Sequence, residues 1–199
     1  MRISCVVRAG EEVKDHYVSP LEGTVRRREA LRVGWFFSCQ CARCEDSGEL
    51  GTNLSSLSCS GLTSRISSWE TSISTTEPCD GVVTSLNILQ ENSDYKCRSC
   101  GTTFSSHLVR GVSEELSDML AITDKSDVLS LEFLLEMYEK VLHRTNSIIL
   151  TIKRHLIYLY GRSSQHCTEE MLSRKIEFCK GRVPKNESIN IKKILPNSK

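Results

Sequence analysis

A chain of 199 residues is long enough for one or two small domains, and 26 Lys and Arg against 25 Asp and Glu leave it without a preference for polyanions, so charge gives nucleic-acid binding no support. No apolar run is long enough to span a bilayer, and Met1-Arg2-Ile3-Ser4-Cys5-Val6-Val7-Arg8 is too short and too soon polar for a signal peptide, which leads to the expectation of an intracellular protein in nucleus or cytoplasm. Of the ten cysteines, seven fall into a CxCxxC, a CxxC and two single partners, a distribution that suits zinc in a reducing compartment better than disulfides; Cys5, Cys167 and Cys179 remain as free thiols.

Residues 4 to 18 read as two short strands broken by a turn at Ala9-Gly10-Glu11. A lone hairpin is marginal in water, and strand material at residue 1 with nothing before it to pair with predicts a chain that begins inside a domain, a truncation. Pro20 and Gly23 mark a turn, after which Thr24 is expected to N-cap a helix through about Val33, with Val25, Arg28, Leu31 and Arg32 on one face and Gly34 as its stop. This helix delivers Trp35-Phe36-Phe37-Ser38-Cys39-Gln40-Cys41-Ala42-Arg43-Cys44. Thiolates of Cys39, Cys41 and Cys44 at this spacing can converge on one Zn2+ at about 2.3 Å each. A structural site wants a fourth ligand, for which Cys5, His16 or water are the candidates. Phe36 is expected to be plain core.

A polar link from Glu45 to Thr52 leads to Cys59, Cys79 and the pair Cys97 and Cys100, which is followed by Gly101. CxxC with a trailing glycine is half of a zinc ribbon, and looping out the Ser- and Thr-rich stretch between Cys59 and Cys79 would bring the other half together. That stretch is expected to be a disordered insertion over about 60–78, since its few bulky apolar residues bury too little to offset chain entropy.

From about Val112 amphipathic helices take over. Helical spacing is carried by Leu116, Met119 and Leu120 over 114–122, and by Leu131, Leu134, Leu135, Tyr138, Val141 and Leu142 over 128–143. It continues with Ile149, Ile152, Leu156 and Leu159 over 146–160, closed by Gly161, and with Met171, Leu172, Lys175, Ile176 and Cys179 behind a Thr168 cap. The tail after Pro184 is polar, basic and expected to fray.

Gly10-Glu11-Glu12-Val13 with Tyr17, then a helix, then the aromatic and cysteine cluster, resembles the end of a SET domain with its post-SET zinc motif. More narrowly the chain is similar to the SET-and-MYND-domain (SMYD) lysine methyltransferases of arthropod type, through Glu49-Leu50-Gly51-Thr52, the second cysteine set and the carboxy-terminal helices. The resemblance implies a catalytic role for Tyr17, positions for Phe37 and Trp35 around the methyl donor S-adenosylmethionine and the lysine channel, and zinc on Cys39, Cys41 and Cys44. It implies a protein substrate with a target lysine, histone or non-histone. The family's GxG donor loop, Asn-His pair and MYND cysteine series do not occur in this sequence, so the resemblance leads to the expectation that the chain alone is inactive.

The expected architecture is α+β: residues 1–34 as the end of a SET domain, 35–104 as a cysteine-rich zinc region, 105–184 as an all-α helical-hairpin (TPR-like) domain, and 185–199 as a flexible tail. One or two zinc ions are expected per chain, on Cys39, Cys41 and Cys44 and on Cys59, Cys79, Cys97 and Cys100. The alternative function is a non-catalytic zinc-binding module whose helices bind a partner peptide; neither reading involves direct nucleic-acid or membrane contact.

Overall fold

A computed structural model of the chain describes residues 8–10, 16–67, 79–162 and 166–180. Most of the strand material expected over 4–18, Cys5, residues 68–78 and the tail expected from 185 lie outside the described residues. Ala9 and Gly10 form the turn expected there, with Gly10 at φ +91°.

Helix α1 (Thr24–Trp35) runs two residues beyond the expected end, and its capping differs at both ends. Gly23 is the N-cap and offers no side chain, because the Thr24 amide is met from a distance by the Glu49 carboxylate. Gly34 lies inside the helix, which ends where Phe36 turns left-handed at φ 58° and its amide turns back on Leu31 O. The buried face is Thr24, Arg27 and Leu31, one residue round from the expected stripe, so that Val25 and Arg32 face outward.

Short helix α2 (Ala42–Glu45) follows, then strand β1 (Leu57–Ser58) leads directly into helix α3 (Cys59–Ser67). The first part of the expected insertion is therefore ordered. Its serines and threonines bond back along the helix, Thr63 Oγ1 donating to Cys59 O at 2.9 Å and Ser64 Oγ to Ser60 O at 2.8 Å. Leu62 supplies a fully buried anchor, which composition alone undervalued.

Strands β2 (Val82–Ser85), β3 (Tyr95–Cys97) and β4 (Thr103–Phe104) complete an antiparallel sheet in the order β1-β2-β3-β4. Leu57 lies opposite Val83, Val83 opposite Cys97, and Tyr95 opposite Phe104.

Helix α4 (Ser106–Ile122) starts eight residues before the expected 114, where the Ser105 hydroxyl accepts from the Leu108 amide, and it buries Val109, Val112, Leu116 and Leu120. Helices α5 (Val128–Glu139) and α6 (Ser147–Leu159) pack together, with Asp127 and Asn146 as caps and buried faces as the periodicity predicts. In α7 (Glu169–Lys180) Met171 and Phe178 meet the core, while Leu172, Ile176 and Cys179 are exposed. The expected stripe is again rotated. Here Arg174 donates to Glu132 Oε1 at 2.8 Å, the same oxygen that accepts from Tyr160 Oη at 2.5 Å, and Phe178 stacks on Tyr160.

The architecture is α+β, and one continuous hydrophobic core runs from Leu57 through Cys97 and Phe104 to Leu156 and Tyr160. It crosses the boundary placed at 104/105. A polar seam fastens the sheet side to the α5–α6 turn: Ser58 N donates to Val141 O at 2.8 Å, His143 N to Ser56 O at 3.2 Å, Asn146 Nδ2 to Ser56 O at 3.0 Å and Ser147 N to Leu54 O at 2.9 Å. Burial, with Arg144 adding to it, pushes the His143 imidazole below its ordinary 6.5. The unfolded chain then takes up a proton at this site at higher pH than the folded one. The His143 contribution to stability is therefore full above about 6.5 and drains away as the pH falls through the lowered folded value. Urea melts of wild type and His143→Gln between pH 7.5 and 5 should show a smaller acid loss in the variant.

Candidate metal centres

The left-handed turn at Phe36 decides what the aromatic run does. It throws Phe36 into solvent, 90% exposed, instead of into the core, and leaves its neighbours Trp35 and Phe37 on either side of Tyr17. Tyr17 packs edge-on against Trp35 at 5.0 Å between centroids and against Phe37 at 5.7 Å. The three residues named from the sequence as one functional group thus stand together, each about half exposed.

Two residues further on lies the first sulfur cluster. The Sγ atoms of Cys39, Cys41 and Cys44 lie within 4.8 Å of one another, and among the described residues no fourth His, Cys, Asp or Glu joins them, His16 included. Cys41 caps α2, so that Cys44 N donates to Cys41 O at 2.7 Å and the turn brings the third thiol back beside the first two. Burial pushes the Cys41 thiol up, but the Cys44 amide and the thiols of Cys39 and Cys44 outweigh it and bring it to about 7. Burial pushes Cys44 up to about 12, against the pull of Arg27. Arg27, itself buried, donates from Nη2 to Cys44 Sγ at 3.1 Å.

The second cluster gathers residues from three parts of the chain. Cys59 N donates to Gly81 O at 3.0 Å and Ser60 N to Cys79 O at 3.1 Å, so the start of α3 lies beside the segment leading into β2, as looping out the intervening stretch requires. Cys97 closes β3, and the turn through Gly101, at φ +78°, brings Cys100 back. All four Sγ atoms of Cys59, Cys79, Cys97 and Cys100 lie within 4.8 Å. Cys59 to Cys100 is 3.6 Å and Cys79 to Cys97 is 3.7 Å. Sulfurs about 2.3 Å from a tetrahedral ion stand about 3.8 Å apart, whereas a disulfide needs about 2.05 Å. The donor set fits Zn2+. Amides of Gly81 and Ser99 point at Cys79 and Cys97 Sγ at 3.3 and 3.4 Å, as expected around thiolates. Hydrogen bonds from Thr102 lead in lowering Cys100 to about 6, while burial foremost raises Cys59. Cys167 and Cys179 stay outside both clusters, exposed.

Two residues that position these centres were not legible in the sequence. Glu49, in a stretch read as a polar link, is fully buried; its carboxylate accepts from the amides of Thr24 and Ser55 and from Ser55 Oγ, tying α1 to the loop that leads into β1. Arg27 carried no signal beyond its place on a helix. The one hint for Glu49 was the run Glu49-Leu50-Gly51-Thr52, whose backbone is left-handed at Glu49, Leu50 and Gly51 and which no simple turn pattern marks.

No family model matches the chain. Over 46 residues, 23% of this chain, it is 48% identical to the Saccharomyces cerevisiae protein named histone-lysine N-methyltransferase SET5, and the match spans 8% of that protein. The Candida albicans protein of the same name is 42% identical over 40 residues, again 8% of its length. Over 171 residues, 83% of the chain, it is 23% identical to isoform B of the Drosophila melanogaster SET domain-containing protein SmydA-8, of which the match spans 34%. The chain spans less than a tenth of the yeast relatives and about a third of the fly one. Its sequence is therefore similar to SET-domain proteins twice over, closely along one short segment of yeast histone-lysine methyltransferases and distantly along most of its length to a fly protein named for that domain.

Proposed function

We propose that the chain carries the end of the SET domain, the post-SET zinc region and the TPR-like helical domain of a SMYD-type protein-lysine methyltransferase of arthropod form. The observation that supports this most is the gathering of Tyr17, Trp35 and Phe37 immediately ahead of a three-thiolate cluster, in the order of parts that the family resemblance implies. The similarity to SmydA-8 over 83% of the chain supports it independently of that geometry.

S-adenosylmethionine, when bound, supplies an electrophilic sulfonium methyl. The Tyr17 hydroxyl orients the incoming lysine amine through a hydrogen bond, and the Trp35 and Phe37 rings keep water away from it, so most of what the chain contributes is placement. Cys39, Cys41 and Cys44 would hold one zinc ion, which would tie the segment directly behind Phe37 to α1, and Cys59, Cys79, Cys97 and Cys100 would hold another, which would tie the small sheet to the helices. The partner is a protein with a target lysine, histone or non-histone, and the site of action is nucleus or cytoplasm. The second reading, a non-catalytic zinc-binding module whose helices take a partner peptide, draws on Leu129 and Phe133, both exposed on the outer face of α5.

Calorimetric titration of S-adenosylmethionine into the 199-residue chain should show no micromolar binding, because one tyrosine and two ring walls do not close a pocket. Sequence encoded upstream of Met1 should supply a GxG loop, an Asn-His-x-Cys segment and MYND cysteines. Micromolar donor binding by the chain alone would contradict the proposal. An upstream sequence without those segments would favour the peptide-binding module.

A further inference from the structure

Arg27 is an unusual residue to find inside the protein. Its side chain reaches the interior from the middle of α1 and is 7% exposed, yet among the described residues its guanidinium meets no carboxylate. Nη2 donates to Thr24 Oγ1 and to Cys44 Sγ, both at 3.1 Å, and the buried Nε has no hydrogen-bond partner. A buried guanidinium with no carboxylate in contact costs several kcal/mol in principle, and a chain keeps one where negative groups balance it; the buried Glu49 carboxylate bonds the Thr24 amide but makes no ion pair with Arg27. The group it touches is a sulfur of the CxCxxC cluster. Cys44 is itself 1% exposed, so the contact is screened from water on both sides.

We propose that Arg27 is the counter-charge of the first metal centre. This rests on the reading of Cys39, Cys41 and Cys44 as ligands. A divalent ion on three thiolates carries one net negative charge, and the Arg27 guanidinium, hydrogen-bonded to one of the three sulfurs, neutralises it. The bond draws electron density from Cys44 Sγ, and because Arg27 sits between Thr24 and Leu31 on the inner face of α1, it also fixes the cluster against the helix that carries Trp35. Both bonds leave the one nitrogen Nη2, so a cationic donor at that point meets Thr24 and the sulfur together, and a lysine ammonium can supply part of the same contact. The second cluster takes its hydrogen bonds from the amides of Gly81 and Ser99, neutral donors, and none of the hydrogen bonds to its sulfurs comes from a charged group among the described residues. The two centres should therefore differ in their dependence on a single side chain.

The test loads the 199-residue chain with 113Cd2+, whose resonance separates a three-thiolate from a four-thiolate centre, and with Co2+, and competes each ion away with a chelator. In Arg27→Met the first centre should release its ion at a chelator concentration lower by about 10- to 100-fold, with the second centre unchanged. The sulfur-to-cobalt charge-transfer band of the first centre should move to longer wavelength, a shift that packing alone would not produce. Arg27→Lys should restore part of the affinity and most of the band position. Arg26→Met, which removes a charge from the exposed side of the same helix where Arg26 bonds Ser117, should match wild type in both readouts. Wild-type retention with an unmoved band in Arg27→Met would overturn the assignment, as would equal loss from both centres with an unmoved band. Failure of the wild-type chain to take up metal at Cys39, Cys41 and Cys44 would remove the ligand reading on which the assignment stands, and is distinguishable from both.

Discussion

With zinc on the two cysteine clusters as proposed, a strong chelator is expected to lower the melting temperature by about 10 °C or more, since the folding energy of structural zinc sites is lost with the ion. The reason lies in the sheet. Its strands run only two, four, three and two residues, far too short to hold by ladder hydrogen bonds, and no fewer than four of its neighbouring side chains are thiols crowded within 4.8 Å. Cys59 and Cys97 are members of the hydrophobic core, 2% and 1% exposed. Releasing them from the proposed ion should loosen a layer on which Val109 and Val112 of α4 also rest. Helices α4 to α7 keep most of their circular dichroism, but amide protection should fall at 57–61, 81–85 and 95–104 and along the seam at 141–147. Cys97→Ser should reproduce this loss in the presence of zinc. An unchanged melting temperature after complete metal removal would show the sheet to stand on packing alone.

Replacing Gly61 is expected to be nearly as damaging, although no chemistry is attached to it. A Cβ at this position would run into Lys140 O and lie 2.5 Å from Val141 Cα and 2.9 Å from Lys140 C. These are backbone atoms at the turn that the Leu57–Leu142 bridge and the Ser58 to Val141 hydrogen bond hold in place, so nothing there can swing aside. Gly61→Ala should cost about 3 kcal/mol, above the gain in helix propensity that an alanine brings inside α3, and Gly61→Val more. Gly111, inside α4 with open space around its Cβ direction, is the control: Gly111→Ala should stabilise by up to about 1 kcal/mol. Chemical denaturation of the three variants decides it, and a Gly61→Ala protein as stable as wild type would mean that α3 does not dock where described.

Spacing is what makes parts of this fold legible in the sequence. The two sulfur clusters are legible because CxCxxC and CxxC confine their thiols to one turn each, and because the half ribbon at Cys97 and Cys100 wants a second pair, which Cys59 and Cys79 supply once the stretch between them is looped out. The faces of α5 and α6 were legible for the same reason, their apolar residues recurring at helical intervals. What composition suggested held less well. Ser- and Thr-rich sequence after Cys59 gave the expectation of disorder, but Leu62 finds its cover from residues far along the chain, and hydroxyls turned back on the helix remove the competition they usually offer. Phe36 had the neighbours of a core residue and lost that place to a single left-handed dihedral. Arg27 and Glu49 are charged residues whose burial depends on partners 17 and 25 residues away, Cys44 and Thr24, and no local pattern announces such partners.

X-ray absorption at the zinc edge of the protein purified without added chelator bears most directly on the whole account. Two zinc ions per chain are predicted, one bound by four sulfurs and one by three sulfurs and a further ligand, each sulfur about 2.3 Å from its metal. A chain without zinc, or zinc ringed by nitrogen and oxygen with its thiols free, would contradict it.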